Sequence, residues 1–429
     1  MKDKRINNFF SRQGYILLSL LVISIFLFKT FQSLQYKESY ASPDLRNRIT
    51  GARILKHYQS ASPYFYKWKE GDDEHLLDPY DSPEIKVNRN TVTPFTLQLI
   101  QPFCDYSFQS IAVGWYMAET IALIIILLLM LKQAVNQRQR FMCMVITFVI
   151  TGCSQAWLLH NINGQVYIFY TLLLTLLYYS SLYKNNWACL LSGLLLAVLI
   201  LMRPIMIAFV IPFLLQKKWR PLLYVITFTG VYFITQWYDG SIWIWKEYIH
   251  AMNVWAEQQF NLQPVKDYLD VYSITKIEGS LAVQYSPYQW LTENSSLTGL
   301  AFRFLGWQLP VTVLMITALF ISALLAFSVR NKLNKFDARR LFVFAFMVYF
   351  IAEISLPAVR NIYTGVQWIF PLLVIFSQSY LHKKTIILLL IGGFFAMGFF
   401  KFLPFDLTLA ELIFAVICIQ YINTKLVHA

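Results

Sequence analysis

The amino-acid sequence predicts an all-α polytopic membrane protein, and three observations carry that prediction. Hydrophobic side chains make up 57% of the 429 residues and charged ones only 14%, a balance too apolar for a water-soluble domain. Apolar stretches close to the roughly 20 residues that a helix needs to cross a hydrocarbon core recur along the whole chain. The bases, 36 Lys and Arg against 23 Asp and Glu, collect in the connections between alternate apolar stretches. In a soluble chain such an excess would point to nucleic acid; here its placement reports topology, and nucleic acid is not an expected partner.

Taken in order, the candidate spans are 16–34, 109–131, 141–159, 165–183, 187–202, 204–216, 221–238, 306–329, 341–357, 364–381, 385–401 and 405–424. The leading MKDKRINNFFSRQGY has the layout of a signal peptide, but Ser39-Tyr40-Ala41 lies too far beyond the apolar stretch to be its cleavage site, so an uncleaved anchor is expected. Pro204 and Pro212 make 187–216 the least regular region, readable as a broken hairpin. Counting it as two crossings puts Lys132, Arg138, Arg140, Lys184, Lys217, Lys218, Arg220, Arg330, Lys332, Lys335, Arg339, Arg340, Lys383, Lys384 and Lys425 on the side of the N-terminal bases, with only Asp3 and Asp337 as acids. By the positive-inside rule that side is cytoplasmic, with both termini inside and the chain in the cell (inner) membrane. The whole of 1–429 reads as one transmembrane domain, and its two long polar loops, 35–108 and 239–305, face outward. Chemistry is expected on that outer face.

The first outer loop opens with SPDLRNRITGARILKHYQSASPYFYKW, Ser42 to Trp68. Ser-Pro-Asp is helix-start grammar, with an acid placed to complement the helix dipole. Leu45, Ile49, Ala52, Leu55 and Tyr58 recur at helical steps, and Arg46, Arg48, Arg53, Lys56 and His57 fall mostly elsewhere around the helix. The pattern predicts an amphipathic helix lying along the membrane surface. Two readings of Asp44 stand side by side: a helix-start acid, or a general base among cationic neighbours that accepts a proton from a sugar hydroxyl.

Elsewhere the polar signals are weaker. GDDEHLLDPYDSPE, Gly71 to Glu84, is expected to be a solvated loop, because its prolines punctuate it and no ligand spacing is present; a divalent cation is compatible with the sequence but not required by it. Five cysteines supply neither a disulfide framework nor a metal site. The second outer loop holds Trp243, Trp245, Tyr248, Trp255, Tyr268, Tyr272, Tyr285, Tyr288 and Trp290, which serve either as interface anchors or as stacking surfaces for sugars. Glu119, Glu353 and Glu411 lie within apolar spans and show no basic partner at matching depth, which counts against a transport path.

Four segments, in this order, carry a family resemblance. They are Asp44 with the following GARILKHYQSASPYFY, TPFTLQLIQPF from Thr93, NGQVYIFYTLLL from Asn163, and LLSGLLLAVLILMRPIMIAFVIPFLLQKKWR ending at Arg220. Together they resemble the integral-membrane glycosyltransferases of the C superfamily, most closely glycosyltransferase family 87. The resemblance implies a glycosyltransferase C-type fold and transfer of a hexose, usually mannose, from a polyprenyl-phosphate donor to a lipid or glycan acceptor, with inversion. It makes Asp44 the general base. The leaving phosphate then needs cationic donors, and Arg203, at the outer end of an apolar helix beside Pro204, suits it, with Arg360 as a second base on the same face. The family's His in the Arg360 loop aligns with Ile362, so Arg360 or Asn361 stands in for it, while the family's Tyr is kept as Tyr363. Arg48, Gln165, Asn361 and Tyr363 are the further candidate substrate-binding residues, and membrane lipids are the surrounding partners. The alternatives are a glycan polymerase or ligase with a lipid-diphosphate donor, and a transporter or flippase of a lipid-linked sugar.

Overall fold

Helix occupies every one of the twelve apolar stretches, though not always as an unbroken rod. The computed structural model describes residues 12–39, 43–58, 61–64, 90–261, 294–307, 309–357, 360–377, 383–398 and 405–424. The acid-rich 71–84 stretch and Tyr268, Tyr272, Tyr285, Tyr288 and Trp290 lie outside these residues. The helices are α1 (Arg12–Ser39), α2 (Pro43–His57), α3 (Pro94–Ile100), α4 (Phe108–Gln133), α5 (Gln137–Val145), α6 (Gln155–Asn163), α7 (Tyr167–Ser181), α8 (Asn186–Met202) and α9 (Ile211–Leu215). They continue with α10 (Trp219–Tyr238), α11 (Trp243–Asn261), α12 (Leu297–Leu305), α13 (Val311–Val329), α14 (Ala338–Ser355), α15 (Ile369–Phe376), α16 (Lys383–Ala396) and α17 (Phe405–Asn423). Among the described residues there is no strand, only an isolated antiparallel bridge between Asn294 and Asn361.

Among the described residues four helices are long and apolar enough to cross a membrane: Gly14–Phe31 within α1, Phe108–Gln133, Val311–Val329 and Phe405–Asn423. Several of the others are shorter or interrupted, for local reasons. Stretch 141–159 divides into α5, a π-helical segment Ile146–Thr151, and α6, which restarts where Ser154 caps the backbone N–H of Trp157. Arg203 ends α8 with extended backbone, φ −153° and ψ 97°, and Pro204 then opens a 3₁₀ stretch to Val210. Without a backbone N–H, Pro204 cannot continue the α-helical ladder.

The helix ends sort into two groups. At one, Lys218 Nζ donates to Ser181 O (2.7 Å), Arg220 to Asn186 Oδ1 (2.9 Å) and Lys332 Nζ to Asn423 O (3.1 Å), so the bases between spans stitch helix ends together. At the other lie the C-terminal ends of α6, α8 and α14, the start of α7, and α2. Between them sits one large apolar core centred on α14 and α15, with Trp368, Phe342, Phe346 and Phe370 all buried.

The helix expected after the first span is present, but it does not lie on a surface. Leu45, Ile49 and Ala52 are buried as expected, and so are Arg46, Arg48 and Arg53, at 9%, 5% and 5% exposure. The guanidinium groups tolerate this because each meets a partner that water would otherwise supply. Arg48 donates to Gly164 O (2.6 Å), Arg53 to Cys104 O (2.7 Å) and Tyr106 O (3.1 Å), and Arg46 stacks over the Phe108 ring at 3.6 Å. Lys56 and His57, at the C-terminal turn, remain open to solvent and bridge to Asp105. Thus α2 is a wedge packed against α3, α4, α6 and the 101–103 turn rather than an amphipathic lipid anchor.

Candidate functional site

The site begins with a glycine. Gly164 ends α6 in the left-handed region at φ +63°, and a Cβ there would lie 2.7 Å from the Cβ of Leu45. Only glycine lets the α6–α7 turn come this close to α2. That approach places Gln165 against Asp44, which sits in the first turn of α2.

Gln165 Nε2 donates to Asp44 Oδ2, and Gln165 Oε1 accepts from Arg48 NH2 (2.7 Å), so the amide is clamped between the acid and the base. The geometry fixes which amide atom faces which neighbour. Burial pushes the Asp44 carboxyl above its ordinary 3.8, while Arg48, Gln165 and Tyr363 each pull it back down. The Tyr363 phenol is held well above 10 by burial and then by the Asp44 charge, so it stays a proton donor.

From Asp44 the site runs across tyrosines to Arg203. The rings of Tyr363 and Tyr167 are 5.5 Å apart, and the Arg203 guanidinium lies 4.9 Å from the Tyr167 ring centroid and 5.8 Å from that of Tyr170. Asn361 Nδ2 donates to the Tyr363 hydroxyl. Asp44, Arg48, Gln165, Asn361, Tyr363 and Arg203 therefore gather at one end of the helices, though they come from four separate parts of the chain.

Arg360 is placed differently. It is 3% exposed, and its two terminal nitrogens donate to the two Glu411 oxygens, each at 2.7 Å, with Ser295 Oγ accepting a further bond at 3.1 Å. Trp368 Nε1 also donates to Glu411 (3.1 Å). A guanidinium engaged in this way anchors the 294–296 and 360–363 segments to α17. The expectation that Glu119, Glu353 and Glu411 lack partners is overturned. Glu411 pairs with Arg360, Glu353 accepts from Arg203 (2.6 Å to each oxygen), and Glu119 Oε1 faces His160 Nδ1 at 3.6 Å. Sequence separations of 150 and 51 residues hide the first two pairs from a linear reading.

Sequence reasoning also missed the support beneath Gln165. Trp115 Nε1 donates to Glu119 (3.0 Å) and to the Gln165 backbone carbonyl (3.3 Å). His160 Nε2 accepts the Ile168 N–H (3.2 Å), which places its proton on Nδ1, toward Glu119. Asn161, its amide turned to satisfy both neighbours, donates to Glu119 Oε2 (2.8 Å) and accepts from Trp157 Nε1 (2.9 Å). Polar residues buried inside an apolar helix were the available signal.

Outside this cluster, Asp105 is drawn down to about 2 by its hydrogen bonds from Lys56 and His57. Among the described residues no three His, Cys, Asp or Glu side chains are grouped to hold a metal ion. No curated protein and no solved structure matches the chain. The family model of glycosyltransferase family 87 matches residues 91–352, more than half of the sequence. That span contains Gln165 and Arg203 and leaves Asp44, Arg48, Glu353, Arg360 and Tyr363 outside it.

Proposed function

We propose, for a chain that belongs to glycosyltransferase family 87 and is a membrane glycosyltransferase, that it moves a hexose, mannose first among candidates, from a polyprenyl phosphate to a lipid or glycan acceptor. The observation that carries this reading is a carboxylate and a guanidinium joined through a short tyrosine path. Asp44 is held by Gln165, and Arg203 lies at the far side of Tyr167. Asp44 takes the proton of the acceptor hydroxyl as that oxygen bonds to the anomeric carbon from the face opposite the leaving group. The anomeric C–O bond breaks with its electron pair going to the phosphate, whose growing charge Arg203 meets. Attack from the opposite face inverts the anomeric carbon. A raised carboxyl is suited to this work, because raising it makes the carboxylate a stronger base.

An apolar groove of about 690 Å³ supports a prenyl carrier. Pro204, the residue after Arg203, is part of its lining, with Ile207, Val210, Leu222, Ile226 and Phe233. A phosphate on Arg203 therefore leaves its chain next to a residue that lines an apolar groove. A monophosphate carrier is preferred to a diphosphate one, because Arg360, the second base of the sequence reading, is occupied by Glu411.

The finer architecture follows from the same reading. Twelve spans in a glycosyltransferase C-type arrangement, both termini in the cytoplasm, and the Asp44 site outside agree with the bases gathered at the opposite helix ends. The test is chemical and cellular together. Cells without the protein should accumulate an envelope lipid or glycan lighter by one hexose, and the purified protein should restore that mass when given polyprenyl-phosphate mannose. Restoration only by a nucleotide sugar, or no hexose difference, overturns the proposal.

A further inference from the structure

Glu411, Arg360, Glu353 and Arg203 form a ladder of alternating charge from the core to the site. Arg360 bonds Glu411 with both terminal nitrogens and turns its Nε toward Glu353 Oε1 at 3.9 Å. Glu353 takes Arg203 NH2 on both oxygens at 2.6 Å. The first three members are buried, at 4%, 3% and 1% exposure, whereas the Arg203 side chain keeps 19%. Arg203 is thus the one rung that reaches the site. Its Nε is buried and makes no hydrogen bond, so part of the guanidinium remains to be satisfied.

Two acids and two bases leave the ladder without net charge. A phosphate that binds Arg203 therefore competes with Glu353 for the guanidinium. The competition differs between donor and product. A polyprenyl-phosphate sugar is a phosphodiester with one negative charge. Once the anomeric C–O bond has broken, the polyprenyl phosphate carries a second. A guanidinium with no rival would hold the product more tightly than the donor, and turnover would stall on release.

We infer that Glu353 is a positioning residue that competes with phosphate for Arg203 and so frees the prenyl-phosphate product. The inference rests on the proposed role of Arg203. Arg360 holds Glu353 in place from behind, so when the product leaves, Arg203 returns to the same two oxygens. The carboxylate does not touch the sugar or the reacting atoms; it acts through the guanidinium alone. A buried Glu353 that merely neutralised Arg203 would give a different result on removal: the helix ends would loosen and phosphate binding would weaken.

The experiment measures inhibition of the purified full-length enzyme by farnesyl phosphate, with farnesol as the probe lacking phosphate. In Glu353→Gln the inhibition constant for farnesyl phosphate should fall about tenfold, the scale of one charge-assisted hydrogen bond. Farnesol binding should stay as in the unsubstituted protein, and kcat should fall as release slows. Glu353→Asp, which retains the charge but shortens the reach, should move the same constant in the same direction by less, and it decides the matter if the Gln variant does not fold. An unchanged or larger constant overturns the inference. Arg203→Ala is run beside them. If it leaves farnesyl phosphate inhibition unchanged, the role of Arg203 itself fails. If it weakens inhibition while the Glu353 variants do not tighten it, only the competition fails.

Discussion

Replacing Asp44 by Asn separates its two readings, helix-start acid and general base. Asn retains an oxygen to accept the Gln165 Nε2 hydrogen bond, and Arg48 keeps both Gly164 O and Gln165 Oε1, so the local frame survives. What is lost is the capacity to take a proton. A positioned base contributes about 10²–10⁴-fold, equivalent to about 3–5 kcal/mol of transition-state stabilisation. Stability should move the other way or not at all. A carboxyl raised above its unfolded value adds stability below that value and loses it as pH rises through the raised one. Above that raised value the ionised Asp44 is therefore a net cost to the fold, which Asn removes, against about 0.3–1 kcal/mol lost at the helix dipole. Single-turnover transfer and thermal unfolding of Asp44→Asn at neutral pH are the assays. Turnover within threefold of the unsubstituted enzyme, or a Tm several degrees lower, would refute the reasoning and leave a structural helix-start acid. The wild-type rate should fall as pH drops through a value above 3.8, and the residual rate of the variant should lack that acid limb.

Gln165→Leu removes a hydrogen bond that pulls the Asp44 carboxyl down, so the acid limb of the pH–rate profile should shift to higher pH; an unmoved limb would detach Gln165 from the base. Gly164→Ala places a Cβ against Leu45 in a backbone region that alanine resists, and should cost about 1–3 kcal/mol of stability, read as a lower Tm in detergent. Arg360→Ala leaves Glu411 buried without its partner and should cost about 3–5 kcal/mol, whereas Arg360→Met with Glu411→Leu should recover much of the loss. Equal stability of the single and double variants would show that the pair is not coupled.

Much of this fold was legible in one dimension because a membrane helix announces itself by composition. Within the described residues helix occupies each of the twelve apolar stretches, and the inter-span bases Lys218, Arg220 and Lys332 meet neighbouring helix ends. The start of α2 was also legible, since Pro43 and Asp44 are local signals. Its surroundings were not. An Arg-rich helix with an apolar stripe reads as a surface helix, and only the carbonyls of Gly164, Cys104 and Tyr106, supplied from elsewhere, let those arginines go inside. The same limit hid Tyr167. Its importance comes from standing between Tyr363 and Arg203, a relation no window of sequence contains.

The buried acids show how a sound conclusion can stand on a wrong premise. Glu353 and Glu411 looked unpaired within their spans, which spoke against a path for a transported substrate; in the structure both are paired. Pairing alone would suit a transporter, where buried ion pairs line a route. The bidentate Arg360–Glu411 bond works against that use, because both terminal nitrogens and both carboxylate oxygens are committed to it, and Trp368 takes up a further position on the acid. Such a pair fixes the 360–363 segment and does not relay a passing charge. It is rigid backing for the segment that carries Asn361 and Tyr363. Membership of a glycosyltransferase family shows transfer, and the paired acids count against a transport route for a reason opposite to the one the sequence offered.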